Sequence, residues 1–461
     1  MSKRPESQKH SNFAGLIGAA RADITPPVGI YNRNWGAAKR DVASGIHRPL
    51  TTNVLTLQQT EDGPPLVLVS LDLGWWKTFG DEWVIRGALI EALGLDPARV
   101  MVNLSHTHAG PALCRDDADK PGGDLIEPHL LRVRDAVIEC ARRAIAGRQE
   151  AILDWSYGKC DLAQDRDLPD PNADRIVCGF NPATPADDTL LVGRATSENG
   201  MTLATIVNYA CHPTTLAWEN DLISPDYVGA MRELIETHTG GAPCLFLQGA
   251  SGELGPREGF NVGTADADAH GRQLGHAVSA VLEGMLAPGT QLVYSGVVES
   301  GAPLAIWQRE SAQPSTELAA TCLQIELELK PELPSLSEID DELRNCTDRT
   351  IRERLVRKRH IRVLIGNGPT MKVPMWIWRV GDAILAAQAQ EAYSSLQIHL
   401  RQHFPERAVA VMNVTNGSNG YTPPASLYDK DIYQVWQTPF ARGSHEAIER
   451  DTTAGIIRIL S

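Results

Sequence analysis

The stretch Ser105-His106-Thr107-His108-Ala109-Gly110-Pro111 sets two imidazoles two residues apart, directly after an apolar run and directly before Gly-Pro. At that spacing the rings do not share a helical face, but at a strand end they address one site or its two sides. A neutral imidazole is a good zinc ligand, and a second one nearby serves as acid, base or hydrogen-bond donor. A bare HxH pair is more often two hydrogen-bonded loop histidines, so the pair alone decides nothing. Three further residues share its setting. His212 follows the apolar run TLATIVNYA, and Pro213-Thr214-Thr215 then turns the chain. Glu391 comes shortly after AILAAQ and is expected to open a helix, EAYSSLQIHLRQH. Tyr421 follows AVAVMNV through the polar loop TNGSNG. Metal ligands or acid–base groups thus stand just beyond strand ends, where sites gather in open α/β sheets.

The elements that must position these groups read as follows. Residues 66–72, 101–104, 202–210, 243–248, 374–380, 383–388 and 408–414 are short apolar runs of strand length. Residues 82–93 and 127–146 carry apolar positions at helical period. Strands alternating with helices predict an α/β protein, with mixed β-sheets flanked by α-helices and a metal site at the carboxyl ends of strands. Gly381-Asp382 fits a hairpin turn. Residues 1–13 read as a flexible tail and 14–461 as a single catalytic domain. Within it, 308–362 is a charged helical elaboration whose mixed charges are expected to form a solvated face.

Several function classes are set aside at once. The chain lacks HExxH, a P-loop, a Rossmann fingerprint and a GxSxG elbow. Gly249-Ala250-Ser251-Gly252-Glu253-Leu254-Gly255 is glycine-rich but lacks the Lys-Ser/Thr ending of a phosphate loop, and reads as a tight loop lining the site. A net charge of −14 repels phosphate backbones, so nucleic acid is not an expected partner. Eight cysteines without CxxC spacing fit reduced thiols. No apolar leader and no run of about 18 apolar residues is present, which leads to the expectation of a cytoplasmic protein without a membrane anchor. A small-molecule substrate is the expected partner, and no feature fixes an oligomeric state.

At these residues the chain resembles the catalytic domain of the neutral/alkaline (non-lysosomal) ceramidases. Ala22-Asp23-Ile24-Thr25-Pro26-Pro27 is similar to the family's opening motif, and Gly45-Ile46-His47 to its GIH segment. Ser70-Leu71-Asp72-Leu73-Gly74 resembles its strand ending in Asp-Leu-Gly, and SHTHAGP its HTHSGP. Gln248–Pro256 resembles its Asn-x-Gly-Asp-x-Ser-Pro loop. The match runs in order over about residues 15–450. It implies one zinc ion per chain, bound by His106, His212, Glu391 and Tyr421. His108 would face the substrate, and Arg166 would lie near the scissile amide, with an exposed surface arginine as the competing reading. One segment departs: the nearest stretch to a family segment ending in an active-site serine, Ser224–Met231, ends without one.

The chemistry implied is hydrolysis of an amide, ester or lactone bond of a small soluble metabolite by metal-bound hydroxide. Tyr421 would help stabilise the oxyanion and His108 would protonate the leaving group. Asp72 and Glu253 are candidates to orient a ligand histidine, with loop capping as their competing role. Two alternatives stand beside this reading. One is a ceramidase-type lipid amidase cleaving N-acylsphingosine, which needs an apolar channel. The other is a non-catalytic relative that only binds a ligand.

Overall fold

The computed structural model describes residues 7–260 and 263–461. Its centre is an eight-stranded mixed sheet in the order Cys244–Gln248, Thr202–Tyr209, Thr189–Ser197, Gln149–Lys159, Ser11–Asp23, Thr51–Gln58, Leu66–Leu71, Val100–Leu104. The two outermost pairs are parallel and the pairs between them antiparallel. A second, four-stranded sheet runs Leu318–Glu328, Thr370–Val380, Ala383–Gln388, Val409–Met412.

The two sheets pack face to face. Leu55, Leu68, Trp155 and Leu247 from the first meet Trp376, Trp378, Leu385 and Met412 from the second in one buried cluster. Val67, Val69 and Leu71 point the other way, against Ile85 and Leu89 of helix Phe79–Leu93 and Leu130 and Val133 of helix Ile126–Ala146. Helices Tyr227–His238 and Thr264–Gly284 cover the rest of that outer face. Helices Ser395–His403 and Ser444–Leu460 cover the second sheet. Strands Leu66–Leu71, Val100–Leu104 and Cys244–Gln248 are therefore buried on both sides, which is why they read as apolar runs rather than alternations. The layering is helix, sheet, sheet, helix, and the expected mixed α/β class is what is found.

Where the two sheets meet beneath the strand ends, the apolar interface gives way to buried amides. Asn103 donates to Asn413 O at 2.8 Å and accepts from Gln248 N at 3.0 Å. Asn208 donates to Val411 O at 2.9 Å, and Asn413 to Ala392 O at 3.0 Å. Satisfied in this way, the amides fix the register of one sheet on the other without leaving buried donors orphaned.

Three expectations need correction. Residues 1–6 of the expected 1–13 tail lie outside the described residues, but Ser11–Phe13 already belong to a long strand, where Phe13 is fully buried in the inter-sheet core. The segment 308–362 is not uniformly helical. Its start completes an exposed hairpin, Thr290–Ser300 with Ala302–Ser311. Leu318–Glu328 is then a sheet strand, in which buried Ile325 and Leu327 alternate with exposed Gln324, Glu326 and Glu328. Period-two alternation that ends in charges merges, in sequence, with the charged helices that follow it; those helices are Leu336–Asn345 and Arg349–Ile365. Third, Glu391 does not open a helix. Glu391–Ala392 is a short strand paired in parallel with Tyr421–Thr422, and the helix starts at Ser395.

Among the described residues no helix is long and apolar enough to cross a membrane, and the eight cysteines form no disulfide.

Candidate metal centre

His106, His108, His212, Glu391, Tyr421 and Arg166 converge at the carboxyl ends of the strands. His106 lies two residues beyond Val100–Leu104 and adopts a left-handed backbone at φ 67°, a conformation that non-glycine residues hold only where surroundings impose it. The imposing segment is Leu71–Gly74. Leu71 O accepts from Ser105 N and Leu73 O from His106 N, both at 2.9 Å, and Gly74 O contacts His106 Nδ1 at 2.8 Å. Gly74 sits so close to this strap that an added Cβ would stand 2.8 Å from Thr107 O.

His212 is held by the glycine-rich loop. Its Nδ1 lies 2.7 Å from Ser251 O and 3.2 Å from Leu254 O. The same loop fixes Arg166: Gly252 O accepts from Nη2 at 2.7 Å and from Nε at 3.2 Å. Arg166 is thus a buried site residue, 6% exposed, not a surface arginine. The loop lines the site as expected, and its backbone carbonyls are what point two side chains inward.

Asp72 and Glu253 do not touch the ligand histidines. Asp72 forms a two-pronged pair with Arg232 at 2.8 and 2.9 Å, and Glu253 accepts from Ser394 N at 2.9 Å, bracing the turn that carries Glu391. Backbone carbonyls take the orienting role instead. Burial pushes the Glu253 carboxyl up to about 8. An acid whose folded pKa exceeds its unfolded one stabilises the fold when protonated, so this contribution is full below about pH 4.5 and is lost as pH rises through 8. Urea unfolding at pH 5 and pH 9 is therefore expected to show lower stability at the higher pH, with the Glu253→Gln protein losing less over the same interval. An equal loss in both proteins would remove Glu253 as the cause.

The inward-facing atoms have one chemical meaning. Backbone carbonyls at Nδ1 of His106 and His212 require N–H there, which leaves each Nε2 as a lone pair. For His212 this is independently fixed, because Arg166 Nη2, always a donor, lies 3.2 Å from that Nε2. Yet His106 Nε2 and His212 Nε2 stand 3.2 and 3.0 Å from the same carboxylate oxygen of Glu391. Three acceptors converging in a buried site repel unless a cation lies among them, so the donor set fits a divalent metal. Tyr421 OH lies 3.5 Å from His212 Nε2 and 3.3 Å from Arg166 Nη2. The parallel pairing of Glu391 with Tyr421 sets these two side chains next to one another.

Burial, then Arg166, pushes the His212 imidazole down to about 3. Burial opposes ionisation of Glu391, and its carboxyl is held well below the ordinary range only by positive charge at the His106 and His212 side of the site, the place a metal ion takes when both rings are neutral. Burial, reinforced by Glu391, raises the Tyr421 phenol. Neutral imidazole beside ionised carboxylate is the protonation state that metal binding needs. His108 completes a trio with His106 and His212 whose ligand atoms all lie within 4.8 Å of one another. Neither of its ring nitrogens has a hydrogen-bond partner among the described residues, which leaves its tautomer free. Its ring lies between Trp35 and Trp75, at centroid distances of 5.2 and 4.9 Å.

The helix Arg349–Ile365, read from sequence as a solvated face, roofs the site. Arg357 stacks over Trp75 at 5.2 Å and reaches Tyr433 OH at 3.4 Å. His360, Ile361 and Leu364 line the chamber beside the histidines. Arg357, His360, Ile361 and Leu364 recur at i, i+3, i+4 and i+7; that stripe was the available signal, hidden among the surrounding charges. Across the roof's edge the chamber shares Trp76, Lys77, His360 and Leu364 with a largely apolar cleft of about 730 Å³, lined also by Phe79, Trp83, Val363 and Trp376.

The chain matches no protein-family model, and a search of curated proteins finds no match. Among solved structures it is similar to the neutral ceramidase of Pseudomonas aeruginosa, with a TM-score of 0.68 at 17% identity, covering 97% of this chain and 74% of that one. It is also similar to a ceramidase complexed with C2, with a TM-score of 0.69 at 16% identity, covering 98% of this chain and 76% of that one. The fold is therefore that of the ceramidase structures, in keeping with the resemblance carried by the sequence motifs.

Proposed function

We propose that this ceramidase-like protein is a zinc-dependent hydrolase of an amide, ester or lactone bond. The observation that carries the reading is the convergence of two imidazole lone pairs on one buried carboxylate oxygen, 3.0 and 3.2 Å away, with an arginine and a phenol beside them. His106, His212, Glu391 and Tyr421 would hold the ion. Zinc bound there supplies a Lewis acid and a water whose pKa falls from roughly 16 to about 7.

The protein's own groups divide the remaining work. Arg166 and Tyr421 donate toward the carbonyl oxygen as it gains charge, in a chamber where burial strengthens such bonds. His108, with both ring nitrogens uncommitted, carries a proton to the leaving nitrogen or oxygen. The Gly252 carbonyl holds Arg166 in place before substrate arrives, so no reorganisation is needed during reaction. Replacing Arg166 by Ala is expected to lower kcat by about 10²- to 10³-fold, with a smaller change in KM. A change confined to KM would assign Arg166 to binding alone.

A small soluble substrate suits the compact chamber around the histidines. The adjoining apolar compartment favours the second reading, a ceramidase-type amidase whose substrate carries a hydrocarbon chain; about 730 Å³ is the size of a site for a drug-sized ligand. Turnover of an N-acyl series from acetyl to palmitoyl, beside short lactones and esters, separates the readings. Rates that rise with acyl length support the lipid amidase, and rates highest on short lactones or esters support the soluble metabolite. In either case chelation abolishes activity and zinc restores it. Zinc-loaded protein inert across the whole panel would leave a ligand-binding relative without catalysis.

A further inference from the structure

We propose a second metal site, formed by Cys114, Asp116 and His360, that pins the roof helix Arg349–Ile365 to the loop following the histidine motif. The ligand atoms of these three residues all lie within 4.8 Å of one another. Cys114 and Asp116 come from the loop that leaves SHTHAGP, and His360 comes from the roof, 244 positions further along the chain by subtraction of their numbers from 116 to 360.

The imidazole is placed but not used. His360 Nδ1 is buried without a hydrogen-bond partner among the described residues, and its Nε2 stops 4.0 Å from Asp116 Oδ2, beyond hydrogen-bond reach. Nε2, the nitrogen that faces Asp116, is the one a metal would take, and Nδ1 then carries the ring's N–H. Cys114 is 1% exposed, whereas the Asp116 side chain is 64% exposed and offers an entry path for an ion. Tetrahedral zinc with bonds of about 2.0–2.3 Å sets its donors roughly 3.3–3.8 Å apart, so the exposed Asp116 side chain can close its 4.0 Å gap to His360 by a small rotation, and the roof helix supplies what contraction remains.

Charge and softness point the same way. Thiolate and carboxylate together neutralise a divalent ion. The ion displaces the Cys114 thiol proton on binding, so uptake releases a proton. The neighbouring Lys77 ammonium is already paired with Asp117 at 2.7 Å and does not compete. A sulfur donor selects zinc or a similar transition metal over magnesium or calcium, and water fills the fourth position. His360 and Leu364 face the histidine chamber and the apolar compartment together, so fixing this helix fixes the wall between them.

The test is cobalt(II) titration of the full-length protein after chelation, followed by absorption spectroscopy. Wild type is expected to take up a second equivalent beyond that of the histidine site, with thiolate-to-cobalt charge-transfer absorption. His212→Ala should retain that absorption, and Cys114→Ser and His360→Gln should lose it while keeping the other equivalent. Metal should also slow proteolysis within residues 336–365 in wild type but not in Cys114→Ser. Wild type that binds cobalt without thiolate absorption overturns the proposal, as does Cys114→Ser that keeps it. A thiolate band with no further equivalent would instead sink the histidine site and leave this one standing.

Discussion

His212→Ala protein is expected to hold no metal at the histidine centre and to show no turnover above background. His212 is fully buried, and its ring is oriented at both ends: Ser251 O at 2.7 Å fixes Nδ1, and Nε2 faces Glu391 at 3.0 Å. Removing it leaves His106, Glu391 and Tyr421 as an incomplete set. It also frees Arg166, whose Nη2 lies 3.2 Å from the lost Nε2, to turn its charge on the Glu391 carboxylate and occupy the place of the cation. The loss is therefore larger than one missing ligand, because a competing internal cation is released in the same step. Plasma emission on wild type and variant, beside circular dichroism to establish that the variant folds, reads the result. A folded variant with full occupancy of that centre would falsify the assignment of the metal to these ligands.

What the amino-acid order disclosed, and what it hid, follows from how each residue is used. Strands such as Leu66–Leu71 and Val100–Leu104 were legible because burial on both faces demands unbroken apolar runs. His106 and His212 were legible because they stand two and three residues beyond such runs, and Tyr421 because it closes the polar loop that follows one. The pairing of Glu391 with Tyr421 was not, since a two-residue strand carries no periodicity. Arg357 was hidden for another reason. In the run RERLVRKRH most charges do face solvent, and they mask the stripe through His360, Ile361 and Leu364 to which the inward-turned Arg357 belongs. The buried amides Asn103 and Asn208 were equally silent: each polar residue inside an apolar strand looks like a defect until its partner on the other sheet's side is known.

Asp72 illustrates how a residue expected to tune the site acts on the fold beneath it, and its removal is expected to have the largest effect on stability. The carboxylate is fully buried at the end of strand Leu66–Leu71. It accepts from Arg232 Nη1 and Nη2 at 2.8 and 2.9 Å and from Thr51 N at 2.8 Å. Arg232 is itself only 3% exposed, on helix Tyr227–His238. Deleting one partner strands the other's charge in the interior, so Asp72→Ala is expected to cost about 3–5 kcal/mol in unfolding free energy. Replacing both members by apolar residues of similar size removes that stranded charge, and Asp72→Leu with Arg232→Met should recover much of the loss. The strap that holds the histidine motif begins next door, with Leu71 O and Leu73 O accepting from Ser105 N and His106 N. Asp72→Ala should therefore also weaken metal retention, although Asp72 touches no ligand. Urea unfolding of the two singles and the double, each with metal content measured, resolves the coupling. A single-variant loss below about 1 kcal/mol, the range of an exposed ion pair, would show that the Asp72–Arg232 pair is not the brace between helix and strand.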